Sequence, residues 1–355
     1  MSFPSIPPII PPIIDFQRET TQRVLDLHID GTDGLRLVHA GEGSDWIPQG
    51  QGHDAARGEL LTTYNDGERV LLSLQATTPD CDPATADEAS LFLGGDPDDP
   101  DDTAGPTKGG GVATDGEYVY VADTDAVYVY RREDIDAALQ PPDPPQQTAP
   151  MPPLLPDAQP AAPFLSLPPT PTVDAVARIP IAPGEAFNAS YLTVHDGHLY
   201  VGNFSVDPIT NLASGQDYST ADPELRRYAL DGDGGFSAAD YDAIDAPKYA
   251  QGAVVTDTGV LFTTSLGSGI TAPAVDLVFQ ATTDTSGSFS AEGDPREVGH
   301  LPHYAQGLNI IDGKLWVTHE SAADKYRDKV DDPLDHVQIY DVDDLGLSAD
   351  ELGIG

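Results

Sequence analysis

The sequence predicts an all-β protein, a β-propeller of about five four-stranded blades, with six as the alternative count. Three observations predict it. One pattern of apolar runs recurs five times along the 355 residues. The runs are short and rich in Val, Tyr, Leu and Thr, residues that suit a pleated, half-buried surface. Tight-turn signals, three of them Asp-Gly, separate the first two runs of a copy, which is the strand-turn-strand signature.

The copies can be read in order. Blade 1 gives QGHDAARGELLTTYND over 51–66, then RVLLSLQ. Blade 2 gives GGVATDGEYVYVADT over 110–124, then AVYVYRR. Blade 3 gives SYLTVHDGHLYVGNFS over 190–205, then ELRRYAL. Blade 4 gives QGAVVTDTGVLFTTS over 251–265, then DLVFQAT. Blade 5 gives QGLNIIDGKLWVTHES over 306–321, then HVQIYDV. The pitch of roughly 55 to 80 residues exceeds the 40 to 50 of ordinary propeller repeats, which puts the surplus in loops. Asp115–Gly116, Asp196–Gly197 and Asp312–Gly313 suit hairpins that need positive φ.

A fourth, outer strand follows most copies, at 89–95, 175–181 and 296–302, with a weak one at 241–244. Blade 5 lacks one. The run LRLVHAG at 35–41 is expected to supply it, so that both chain ends close the ring in the last blade and leave no open sheet edge. The expected organisation is an extended N-terminal arm with a short helix over 1–34, a propeller over 35–343, and a tail over 344–355. Residues 140–172 are a proline-rich insert inside blade 2, extended and without a core of its own. A β-sandwich explains the strands but not the repeat.

Composition narrows the partners. The chain carries 59 acidic and 17 basic residues, a formal net charge of −42. Such a surface repels a phosphate polymer, so no nucleic acid is expected. No apolar stretch is long enough to span a bilayer, so no membrane insertion is expected. The acidity fits a high-salt or extracellular setting, and it predicts that thermal stability rises as salt screens the surplus. Cys81 is the single cysteine and lies among acids, which raise a thiol pKa and argue against a nucleophile. The start MSFPSIPPIIPPIIDF lacks the basic region of a secretory leader. An isoleucine-rich extended peptide of this kind packs on the propeller or inserts into a partner.

Propellers bind ligands at the mouth of the central channel, where the inner strands begin. Lys108, Asn188, Gln251 and Gln306 stand there, with Gln49 or Gln51 in blade 1; His53 follows the blade 1 motif. His319 and Glu320 end the second strand of blade 5, and Asp123 that of blade 2. Amides both donate and accept, so a ring of them suits waters, a sugar or a hydrated ion; repeat amides also brace neighbouring strands. No organic cofactor is predicted. A divalent cation such as calcium is the ion that a His-carboxylate set near the axis would take. DGDGGFSAAD over 231–240 imitates part of an EF-hand loop, but Ala229 falls at the first ligand position, so it reads as a polar turn. No nucleophile-elbow, zincin, P-loop or dinucleotide motif is present.

The unit GGGVATDGEYVYVADTDAVYVYRR over 109–132 resembles the blade of the broad gluconolactonase-like and NHL-like propeller superfamily. The resemblance covers 35–343 in architecture and implies the propeller fold. Lactonases of that group hold a divalent metal with Glu, Asn and Asp near the axis. Of the residues here only Asn188 matches in kind, so no catalytic residue is carried over. The expected function is a non-catalytic binding or structural propeller in an extracellular, surface or virion-associated assembly. It would meet a protein partner through its N-terminal arm or proline-rich insert. The alternatives are a metal-dependent hydrolase of the lactonase type and a carbohydrate-binding, lectin-like propeller.

Overall fold

The computed structural model describes residues 29–77, 88–96, 105–140, 169–181, 186–214, 218–265, 275–285 and 288–354. The arm over 1–28, Cys81 and most of the proline-rich insert lie outside them. Five small sheets form a five-bladed β-propeller, and each is built on four antiparallel strands. Blade 1 runs Ile47–Asp54, Glu59–Asn65, Val70–Ala76 and Glu88–Leu93. Blade 2 runs Gly111–Thr114, Tyr118–Asp123, Ala126–Arg131 and Ala177–Pro180. Blade 3 runs Ala189–His195, His198–Asn203, Glu224–Ala229 and Asp242–Asp245. Blade 4 runs Ala250–Val255, Gly259–Thr264, Val275–Thr285 and Arg296–Leu301, with Ser288–Ala291 folded back on its third strand. Blade 5 runs Ala305–Ile311, Lys314–His319 and His336–Asp341.

The last blade is completed by the N-terminal strand Thr32–Arg36, which pairs antiparallel with His336–Asp341. This strand starts earlier than the expected 35–41 and ends sooner. Leu37 N–H still donates to Asp335 O at 2.8 Å, but Ala40 N–H turns back onto Leu37 O at 3.0 Å. Leu35 and Leu37 are buried between blades 5 and 1. The apolar signal in 35–41 therefore came partly from seam packing, not from strand alone. Ile29 and Asp30 are not helical, so the expected helix reaches no described residue. The segment expected as a tail also packs. Ser348 forms a capping box with Glu351 on the helix Ala349–Leu352, and Leu347 and Leu352 are buried in the seam of blades 4 and 5.

The core is divided among the seams. Five apolar clusters lie one between each pair of neighbouring blades, blade 5 against blade 1 included. Central strands are consequently buried on both faces, as in Tyr118–Asp123, and read as continuous apolar runs instead of alternating ones. The inner strands neighbour one another around a closed ring, and the QG and GG pairs of the repeat explain how. A Cβ on Gly307 would lie 2.4 Å from Gln51 N, one on Gly111 2.4 Å from Leu192 N, and one on Gly252 2.3 Å from Gln306 O. Only glycine lets backbones come this close. The hairpins behave as the sequence implied at Asp196–Gly197 and Asp312–Gly313, where both residues have positive φ.

Candidate functional site

The inner strands all begin at one end of the channel, and a repeated irregularity shapes that mouth. A β-bulge falls at the start of the inner strand in blades 1, 3, 4 and 5. Bulges re-aim side chains at sheet rims. In blades 4 and 5 the residue just before the bulge is a tyrosine with positive φ, Tyr249 at 66° and Tyr304 at 65°. Their carbonyls accept the N–H of Ser265 and Glu320, each at 2.9 Å. The Tyr304 carbonyl thus fixes the backbone of Glu320 at the mouth.

Three second-strand threonines hold the next blade at this level. Thr63 Oγ1 donates to Gly109 O at 2.7 Å, Thr263 Oγ1 to Gln306 O at 2.7 Å, and Thr318 Oγ1 to Gln51 Oε1 at 2.5 Å. Gln51 also donates from Nε2 to Trp316 O at 3.2 Å. Gln51 is therefore a brace between blades 1 and 5, the structural use the sequence left open for the repeat amides.

Glu320 and Gln49 form the centre of the mouth. Gln49 Nε2 donates to the Glu320 carboxylate. Burial pushes the Glu320 carboxyl up to about 7, against the opposing pull of Gln49 and of the ammonium groups of Lys108, Lys325 and Lys329. Lys108 is partly buried just before the inner strand of blade 2. Desolvation lowers its pKa, and the charges of Glu320 and Asp123 partly restore it. Asp123 accepts the backbone N–H of Lys108 at 2.7 Å and of Thr107 at 3.2 Å. It thereby anchors the segment that carries Lys108, and burial raises its pKa.

Behind Glu320, His319 is fully buried. Its Nδ1 lies 3.2 Å from His303 O, and its Nε2 has no hydrogen-bond partner. Desolvation lowers its pKa to about 4, so the ring is neutral at physiological pH. Asn188 and Gln251 are partly buried at the starts of blades 3 and 4, and Gln306 is buried at the start of blade 5. His53 does not join this group. It lies four residues along the inner strand from Gln49, about 13 Å at 3.3 Å per residue, and its neighbours there are Asp54 and the turn residue Asp312.

Sequence reasoning did not anticipate the segment joining the second and third strands of blade 5. It carries the short helices Glu320–Ala322 and Asp324–Arg327. Tyr326 packs on Tyr304 with ring centroids 4.8 Å apart, and Lys325 and Lys329 place their ammonium groups 5.0 and 4.9 Å from its ring centre. Beside it a cleft of about 930 Å³ is lined by Trp46, Asn65, Arg69, Asp324 and Lys325. The scarcity of lysine was the signal available: the chain has only five, and three of them act on Glu320.

Among the described residues, one group has the spacing of metal ligands, and it lies away from the mouth. Asp276, Glu297 and His300 meet on the outer two strands of blade 4. His300 Nδ1 is 2.6 Å from Asp276 and Nε2 is 3.1 Å from Glu297. A carboxylate thus stands beside each ring nitrogen of His300, on the outer edge of blade 4. In the EF-hand-like segment, Asp231 accepts N–H groups of its own turn, from Asp233 at 3.0 Å and Gly235 at 2.7 Å. That is a polar turn.

No protein-family model matches the sequence, and no curated protein matches it. Solved structures similar to the chain are propellers of the gluconolactonase-like and related groups. A gluconolactonase from Xanthomonas campestris is 13% identical over 82% of this chain and 80% of its own, with a TM-score of 0.41. A luciferin-regenerating enzyme is 9% identical over 88% of this chain and 96% of its own, with a TM-score of 0.38. BamB from Moraxella catarrhalis is 12% identical over 83% and 85%, with a TM-score of 0.29. Likenesses this distant carry no argument about function, which is left to the site. No helix among the described residues is long and apolar enough to cross a membrane.

Proposed function

We propose that the protein is a non-catalytic binding propeller that takes its ligand at the channel mouth. One observation carries the reading. Glu320, Gln49 and Lys108 are desolvated together at the mouth, and the hydrogen-bond partner of the carboxylate is an amide. A carboxylate and an ammonium held out of water at a pocket are the signature of a site. A carboxylate that serves an amide has no nucleophile to activate. The ammonium of Lys108 also supplies positive charge near Glu320 of the kind that a divalent cation would bring, which weakens the metal-dependent hydrolase reading.

The arm and the insert are proposed as the segments that meet a protein partner, in an extracellular or viral assembly. Their described ends are fastened to the ring. Ile29 is buried in the seam of blades 4 and 5, and Thr172–Val173 adds a parallel strand to the outer edge of blade 1. Both described ends therefore lie toward the outer side of the ring.

The test is a thermal-shift screen of small metabolites on the full chain and on Gln49→Leu. A compound that raises the melting temperature of the first and not of the second supports a mouth ligand. Turnover of lactone or ester substrates that stops with a chelator would replace this reading with the hydrolase.

A further inference from the structure

The cations of this protein divide into two populations. Of the ten described arginines, eight make ion pairs: Arg57, Arg69, Arg131, Arg132, Arg178, Arg226, Arg227 and Arg296. Of the five lysines, only Lys314 does, with Asp341 at 3.8 Å. Lys314 starts the second strand of blade 5, at the end of the ring opposite the mouth. The other four stand at the mouth end. Lys108 and Lys248 precede the inner strands of blades 2 and 4, and Lys325 and Lys329 lie in the blade 5 segment after Glu320. None of the four has a carboxylate oxygen within 4 Å among the described residues. With 59 acidic residues in the chain, unpaired lysines on a single face are the opposite of what random placement gives.

The fold maintains this arrangement by other means. Lys325 and Lys329 share one aromatic ring, that of Tyr326, so a cation–π contact takes the place of a carboxylate. Three acids of the mouth are engaged elsewhere. Asp123 holds the N–H groups of Thr107 and Lys108, Asp324 accepts from Gly43 N–H at 3.3 Å, and Glu320 is held by Gln49. The charges of Lys108, Lys325 and Lys329 all act on the Glu320 carboxyl, and Tyr326, which carries two of these lysines on its ring, packs on Tyr304 beside it.

We infer that the channel mouth binds a small organic oxyanion, a carboxylate or a phosphate ester, with its charged group among Lys108, Lys325 and Lys329 and its body against the tyrosines. This rests on the mouth being the binding site. Lysine is a compact point charge with three donors and suits such groups. A long polyanion is excluded because the rest of a surface at −42 repels it. A small anion in the mouth lies within about 8 Å, one Debye length at physiological salt, of the lysines that attract it.

The experiment is calorimetric titration of the full chain with citrate, glucose 6-phosphate and glucose. It is repeated with Lys108→Met, with the exposed pair Lys325→Met/Lys329→Met, and with Lys314→Met as the opposite-face control, each checked by circular dichroism. The expected result is binding of citrate or glucose 6-phosphate but not glucose. It weakens about tenfold or more in either mouth variant, is unchanged in Lys314→Met, and declines with added salt. Which anion binds tells carboxylate from phosphate. Binding unchanged in both mouth variants, or weakened equally in Lys314→Met, overturns the inference. Glucose binding as tightly as its phosphate also overturns it while leaving the mouth a site. Binding of none of the three up to about 10 mM, weaker than about 3 kcal/mol, overturns it as well.

Discussion

Arg132 and Lys108 belong to the same blade and sit at opposite ends of it. Arg132 follows the third strand of blade 2 and reaches three carboxylates, Asp54 at 3.3 Å, Glu59 at 2.5 Å and Asp136 at 2.9 Å. Its side chain is 3% exposed. Lys108 begins the blade at the channel mouth and, among the described residues, has no carboxylate within hydrogen-bonding reach. The chain has acid to spare, so this difference is one of placement. On the far face the fold surrounds its cation and uses it as a staple between blades 1 and 2. On the mouth face no described carboxylate oxygen comes within 4 Å of the cation, and the proposed anion would complete it.

The largest effect should come from breaking the staple. Arg132→Met leaves Asp54, whose side chain is 1% exposed, with Arg57 as its remaining partner at 3.0 Å. Removing one member of a buried ion pair costs about 3 to 5 kcal/mol, and Arg57 keeps the loss toward the lower end. Urea unfolding measures it. A cost below about 1 kcal/mol would mean that the far face is no better organised than an ordinary exposed ion pair.

Next comes the glycine ring that keeps the two faces in register. Gly111→Ala places a Cβ 2.4 Å from Leu192 N and 2.8 Å from Tyr191 Cα. Both are backbone atoms of the neighbouring blade and cannot rotate away. Overpacking of this kind costs about 1 to 3 kcal/mol. Gly232→Ala, where a Cβ meets nothing within 4 Å, is the matched control and should be close to neutral by the same measurement.

The blades were legible because each strand pair announces itself locally, through apolar runs and Asp-Gly turns, and because seam packing repeats the same residues five times. The closing strand was legible in kind but misplaced, since Leu35 and Leu37 are apolar for two different reasons, pairing and seam burial. The helix Arg132–Leu139 carries too few turns to raise a period above its acidic surroundings. The mouth was half legible. Lys108, His319 and Glu320 were named as candidates because they border repeat motifs, and the structure places them at the mouth end of the ring. Lys325, Tyr326 and Lys329 occupy a segment unique to blade 5, and a repeat-based reading passes over what does not repeat. His53 was grouped with them by nearness in sequence, and the rise of its strand separates it.

The mouth carries two groups with opposite pH responses. Glu320 titrates near 7 in the folded protein against an ordinary 4.5. The native state then holds a proton that the unfolded chain releases, so this group lowers stability as pH rises from about 4.5 to about 7. His319 titrates near 4 against 6.5. The unfolded chain binds a proton that the native state does not, so this group raises stability from about pH 4 to about 6.5. Between about pH 4.5 and 6.5 the two slopes oppose. Glu320→Gln removes the falling one, and the stability difference between variant and wild type should grow in the variant's favour from about pH 5 to pH 7. Its slope is at most about 1.4 kcal/mol per pH unit. A difference that does not change with pH would place the Glu320 carboxyl in water.

The smallest effect is expected where the comparison began. Lys108→Met removes a partly buried charge that has no ion pair among the described residues, and the methionine keeps most of the stem's packing. Two terms oppose. Desolvation of the ammonium is relieved, and its attraction to Glu320 and Asp123 is lost. The change should stay within about 1 kcal/mol of wild type, against several for Arg132→Met. The Glu320 carboxyl should at the same time titrate higher, because one of the charges that lower it is gone. A loss as large as that of Arg132→Met would show that Lys108 is a second staple, satisfied from within the protein, and the two faces would then differ in geometry but not in purpose.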